Sequence, residues 1–190
     1  MRMRLCVLAL FATASLHALP ASAAESRYTN LGNTSCKLDQ EASRQIKPHE
    51  DFKPLLYRCS GFAEREVSVT YHGLVVRTTL ARKDGKSLDV LTPYDAGPRI
   101  EWRGERAPTA AILRLSARDE DGRPASALAV VKLAPDQDCL VAVIDVKANR
   151  NANELAREAA DAAPSTSCNA PRLTGAAGPT GLEIMGLNKR

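Results

Sequence analysis

Arg77, Arg99, Arg103, Arg114 and Arg118 all fall on, or at the ends of, segments whose residue pattern predicts β-strands. A guanidinium presents its donors in a planar fork that fits a carboxylate or phosphate on two atoms at once. Arg99, Glu101 and Arg103 alternate with Ile100 and Trp102, while Arg114 shares a strand face with Ile112 and Ser116. If these strands adjoin, the arginines and Glu101 form a ladder across one exposed sheet face. Such a ladder can be a set of cross-strand ion pairs or a surface that captures an anionic partner. The expected binding set is Arg77, Arg99, Glu101, Trp102, Arg103 and Arg114. On that reading, Arg103→Ala and Arg114→Ala weaken partner capture and leave the melting temperature nearly unchanged.

The other candidate constellations resolve into ordinary surface chemistry. His49-Glu50-Asp51 reads as a solvated loop and His72 as a turn residue; neither has the patterned histidines of a zinc enzyme. Asp119-Glu120-Asp121-Gly122 resembles the start of a calcium loop but lacks the distal bidentate glutamate, so a turn is expected. There is no nucleophile elbow, phosphate-binding glycine loop or dinucleotide fingerprint. No metal, cofactor or catalytic residue is expected.

The elements that must position the arginines are mostly strands. Leu55–Cys59, Val67–His72, Leu74–Leu80, Arg99–Arg103, Ala110–Ala117, Ser126–Leu133 and Cys139–Val146 carry strand patterning, several with period-2 alternation. Gly73 turns the second into the third, Lys83-Asp84-Gly85-Lys86 closes that region, and Pro93 to Pro98 reads as a loop. Leu140–Ile144 is apolar on both faces and therefore needs cover on both, one cover being a helix. Asn151 caps that helix, which runs to Pro164 with Ala152, Leu155, Ala156, Ala159 and Ala163 inward and Glu154, Arg157, Glu158 and Asp161 on the wet side. Residues 25–54 read as irregular, with a weak short helix starting at Asp39.

Arg2 and Arg4, the apolar run from Leu5 to Leu16 and Ala21-Ser22-Ala23 have the form of a cleavable signal peptide over residues 1–24. The apolar core is too short to span a bilayer, and no stable membrane insertion is expected. In an oxidising compartment the four remaining cysteines should form two disulfides. A strand of about 25 Å out from Cys139 and a helix of about 16 Å back place Cys168 near Cys139, leaving Cys36–Cys59 as the other pair. Lys and Arg number 26 against 22 Asp and Glu, a net +4 that falls to about +2 without Arg2 and Arg4. Nearly neutral charge and only 4% aromatic residues argue against nucleic-acid binding. Residues 169–190 lose all periodicity and read as a disordered tail.

Tyr57-Arg58-Cys59-Ser60-Gly61, Ile100-Glu101-Trp102-Arg103 and Ala152-Asn153-Glu154-Leu155-Ala156-Arg157 give the chain a look that resembles small secreted bacterial proteins of unknown function. The resemblance covers about residues 28–168 and implies no catalytic residues. The expected architecture is a single disulfide-stapled α+β domain over residues 25–168. It has an antiparallel β-sheet of six or seven strands with the C-terminal helix packed on one face. The expected role is that of a periplasmic or extracellular binding module for another envelope or secreted protein. Inhibition of a secreted hydrolase such as lysozyme is one version, by fold-level analogy. A periplasmic hydrolase and a purely structural envelope protein are the alternatives.

Overall fold

A computed structural model describes residues 24–32, 34–48, 52–73, 75–92, 95–118, 122–169 and 172–174. Residues 1–23 of the expected signal peptide, His49-Glu50-Asp51, Asp119-Glu120-Asp121 and the end of the expected tail lie outside these residues. The described chain runs β1 (Ser26–Asn30), β2 (Cys36–Leu38), α1 (Gln40–Gln45), β3 (Leu55–Cys59), β4 (Arg65–His72), β5 (Val75–Arg82) and β6 (Ser87–Thr92). It continues through β7 (Asp95–Arg103), β8 (Ala110–Arg118), β9 (Pro124–Lys132), β10 (Cys139–Asp145), α2 (Ala152–Asp161) and β11 (Arg172–Thr174).

The fold is α+β and mostly antiparallel, but it holds two sheets and more strands than expected. One sheet has the order β1-β7-β8-β9-β10-β11 and the other β2-β3-β4-β5-β6. The inner face of each alternating strand supplies the core between them: Val67 and Val69, Val76 and Leu80, Ile100 and Trp102, Leu113 and Leu115. Strands β8 to β10 are apolar on their outer face too, and α2 covers that face. Ile112, Leu128, Val130, Ala142 and Ile144 pack there against Ala152, Ala156, Ala160 and Ala163. Alanine lets the helix axis come close to the sheet, so a short stripe of methyl groups closes the third layer.

Both disulfides form as expected. Cys36 and Cys59 are directly opposed across β2 and β3, and Cys139–Cys168 ties the start of β10 to the segment after α2. Gly73 turns β4 into β5 with φ +64°, a conformation only glycine adopts without strain. Asp39 caps α1 by accepting from Ala42 N–H at 2.9 Å. Asn151 occupies the N-cap of α2 but makes no side-chain capping bond, so the expected side-chain cap is absent.

Five segments differ from the sequence reading, among them Cys36–Leu38 and Ser87–Thr92, which form the two edge strands of the five-stranded sheet. Polar Ser26–Asn30 forms an edge strand, where one neighbour and little burial suffice. The expected loop at Pro93–Pro98 is strand from Asp95 onward, with a register shift between Ala96 and Ile100. Beyond Cys168, Arg172–Thr174 adds a parallel strand beside β10, held by backbone bonds that no side-chain pattern advertises.

Candidate functional site

The alternation of β7 sends Ile100 and Trp102 into the core and turns Arg99, Glu101 and Arg103 to the face shared with α2. Register then assembles the rest of that face. Ser26, Tyr28 and Asn30 of β1 stand opposite Arg103, Glu101 and Arg99, while Ile112 of β8 stands opposite Glu101. Helix α2 crosses this face over β8 to β10 and presents Asn153, Arg157 and Asp161 along its edge toward β1.

Two of the arginines are committed to the fold. Arg103 is 4% exposed. Its Nε and Nη2 donate to Asp161 at 2.7 to 2.9 Å, and its Nη1 donates to Ser26 Oγ. Ser26 Oγ donates in turn to Glu101 at 2.6 Å, and Glu101 also accepts from Arg157 Nε at 2.7 Å and Nη2 at 3.2 Å. Arg157 Nη2 lies 3.2 Å from the Tyr28 hydroxyl. The result is a continuous chain of satisfied polar groups from Asp161 to Tyr28. Burial alone would raise the Glu101 carboxyl. Bonds from Arg157 and Ser26, with the charges of Arg157 and Arg103, outweigh it and hold that carboxyl below the usual range. The same bonds to Glu101 raise Arg157 further, so this pair stays ionised.

Arg99 and Arg114 are held differently. The Arg99 guanidinium lies 4.9 Å over the centre of the Tyr28 ring, a cation–π contact, and among the described residues its in-plane donors meet no hydrogen-bond acceptor. Among the described residues Arg114 reaches neutral acceptors, Ser126 Oγ at 3.3 Å and Asn153 Oδ1 at 3.4 Å. Among the described residues neither arginine pairs with a carboxylate. Tyr28, Arg99, Glu101, Arg114, Asn153 and Arg157 line a groove of about 450 Å³. Three guanidinium groups against one carboxylate leave it with a formal excess of two positive charges.

The β7 bulge shapes this groove. Ala96 pairs with Leu115 and Ile100 with Leu113, so Gly97, Pro98 and Arg99 stand opposite the single residue Arg114. A Cβ on Gly97 would come 2.8 Å from Arg114 Cβ and 3.0 Å from its carbonyl oxygen, so only glycine permits the approach. A bulge of this kind re-aims side chains at the point where pairing is interrupted. Beyond it, Tyr71, Asp95 and Pro98 line a second cleft of about 360 Å³ that shares Arg114 with the first. Partial burial pushes the Asp95 carboxyl up, against hydrogen bonds from the Ala96 backbone and the Tyr71 hydroxyl.

Of the six residues expected to form the site, Arg99, Glu101, Arg103 and Arg114 share one face. Arg77 does not join them; it lies on β5 of the other sheet, 3.5 Å from Asp89. Trp102 points the opposite way, fully buried between the sheets, with Nε1 donating to Thr29 Oγ1 at 2.9 Å. Arg118 ends β8 and donates to the Gly122 carbonyl. Arg103 is a buried structural arginine, so its substitution is not expected to leave stability unchanged. Sequence reasoning missed Tyr28, Asn30, Asp95 and Arg157. For Arg157 and Asp161, the i,i+4 spacing on a helix was the available signal, but the polarity of both residues placed them in solvent.

Among the described residues no group of three acidic, histidine or cysteine side chains is arranged to hold a metal ion, and no helix is long and apolar enough to cross a membrane. Comparison with known proteins found no matching family model, no matching curated protein and no matching solved structure, so the site is read from its own geometry.

Proposed function

We propose that this is a secreted binding module without catalytic activity that takes an anionic group of another envelope or secreted protein into the groove between β1, the β7 bulge and α2. One observation carries the reading. Arg99 and Arg114 line a concave, positively charged groove and have no carboxylate partner among the described residues, whereas Arg103 and Arg157 beside them are paired with Asp161 and Glu101. Arginines paired with carboxylates position the groove's walls; those without one supply the donors that a carboxylate or phosphate would take. Export through a signal peptide at residues 1–24 belongs to the same reading, and the two disulfides fit an oxidising compartment.

In-cell crosslinking of the tagged protein in its native envelope, followed by mass spectrometry, tests the proposal. One stoichiometric protein partner that is lost with Arg114→Ala is the expected result. No partner above background, or one retained unchanged by an Arg99→Ala, Arg114→Ala double variant, would overturn it.

A second reading, a hydrolase, draws on Asp95, whose raised carboxyl faces a cleft beside Arg114 in the manner of a general acid. Turnover of ester or glycoside substrates that disappears in Asp95→Asn would favour it over the binding module.

A further inference from the structure

We infer that the partner docks as an extended segment that adds to the free edge of β1 and lays acidic side chains, at alternate positions, over the arginine groove. This inference rests on the groove being the partner site and specifies how it is filled.

The backbone of β1 sets the geometry. Leu31 N–H donates to the Pro98 carbonyl at 2.8 Å, and Gly104 N–H donates to the Glu25 carbonyl at 3.3 Å. Both pairs continue the antiparallel register that sets Ser26 opposite Arg103 and Asn30 opposite Arg99. Opposed antiparallel residues alternate between bonded and non-bonded pairs. The odd-numbered residues of β1 therefore bond to β7, and the N–H and C=O groups of Ser26, Tyr28 and Asn30 point outward. Because β1 is the edge of its sheet, no described strand takes up those groups. An unpaired edge of this kind is a template for strand addition.

The same three residues carry their side chains on the groove face, where Tyr28 and Asn30 form part of its wall. An incoming strand that bonds to them thus puts every second side chain on that face. Neighbouring strands lie about 4.8 Å apart, so a peptide beside β1 is two strands from β7. Arg99 has already crossed one of those intervals, since its guanidinium sits over the Tyr28 ring, and Arg157 reaches the Tyr28 hydroxyl. Charge complementarity therefore selects acidic side chains at the alternate positions.

Binding of the oxidised protein to a short labelled peptide of alternating glutamate and threonine, followed by fluorescence polarisation, tests the inference. Its glutamine counterpart should bind at least about tenfold more weakly, as expected for loss of a charge-assisted contact. Two further peptides carry N-methyl groups, one on the glutamate amides and the other on the threonine amides. Strand addition predicts that one of them loses binding by about tenfold or more while the other keeps it. Loss with the glutamate set means antiparallel addition, and loss with the threonine set parallel addition. Equal binding by both methylated peptides would overturn strand addition, while crosslinking with the Arg99 and Arg114 variants would still judge the groove by itself. Absence of binding by the acidic peptide at millimolar concentration, or self-association of the protein through β1 that the peptide does not reverse, would also overturn the inference.

Discussion

Arg103 of β7 holds Asp161 of α2 through three donor contacts of 2.7 to 2.9 Å, and this pair clamps the helix to the sheet at the end of the groove. Arg103 is almost wholly enclosed, whereas a third of the Asp161 side chain remains accessible, which moderates the cost of separating them. Arg103→Ala should lower unfolding stability by about 2–3 kcal/mol, a fall in Tm on the order of 10 °C. Asp161→Asn should cost less, because the amide keeps one acceptor for the fork. Thermal unfolding followed by circular dichroism measures both, and an Arg103→Ala protein as stable as wild type would remove the clamp.

Arg114 is the counterpart that should separate binding from stability. Its two contacts are long and go to neutral groups, so Arg114→Ala should change unfolding free energy by less than about 1 kcal/mol. Partner capture should fall by about tenfold or more, since a guanidinium to an anion contributes roughly 1.5–3 kcal/mol. Denaturant melts read against a pull-down on the same protein check the split. Gly97→Ala should impair both properties at once, because the new methyl group collides with Arg114 Cβ and crowds its carbonyl oxygen.

Acid should loosen the groove through Glu101. Its carboxyl is held below its ordinary value of 4.5, so the native protein binds its proton less readily than the unfolded chain does. The stability it contributes is present above about pH 4.5 and is lost as pH falls through the lower native value. Asp95 acts in the opposite sense. Its raised carboxyl favours the protonated fold and offsets part of the loss. Unfolding free energies measured from pH 6 down to about pH 3 should fall less steeply in Glu101→Gln than in wild type. Equal slopes would mean that the Arg157–Glu101 pair does not govern acid stability.

Trp102, the single tryptophan, reports on the core between the sheets. Its fluorescence in the native state should be blue-shifted and protected from acrylamide, and should move to the red in one step on unfolding. Trp102→Ala should destabilise by about 3–5 kcal/mol, because it leaves a cavity and strands the Thr29 hydroxyl. A native emission maximum typical of solvated indole would contradict the buried placement.

Each disulfide closes a loop of moderate length, with sequence separations of 23 and 29. Replacing either pair by serines should cost about 3 kcal/mol from loop-closure entropy. Loss of Cys139–Cys168 should in addition raise amide exchange in the segment after α2, because this bond anchors that segment beside β10. Loss of Cys36–Cys59 should raise exchange in β2 and leave the groove unaffected. Mass-spectrometric hydrogen exchange distinguishes the two.

Period-2 alternation, turn residues and the alanine stripe were enough for the sequence to determine β3 to β5, β8 to β10, the C-terminal half of β7 and the C-terminal helix. The oxidising reading of the cysteines and the return path of strand and helix were enough for both pairings. Those features are local, or need only a count of residues along the chain. Which strands share a sheet is not local. Arg77 and Arg114 carry equivalent strand signals, and only the division into two sheets sent one to each. The edge strands β1 and β11 lacked a signal because a strand with one neighbour needs no apolar face. Arg103 and Arg157 read as solvated because polarity implies exposure until a partner is known. Tertiary packing decided that Asp161 and Glu101 would meet them, and so which arginines pair with a carboxylate and which, among the described residues, do not. Electrostatic pairing across 56 and 58 residues of sequence is set by the approach of helix to sheet, and no pattern within either element encodes it.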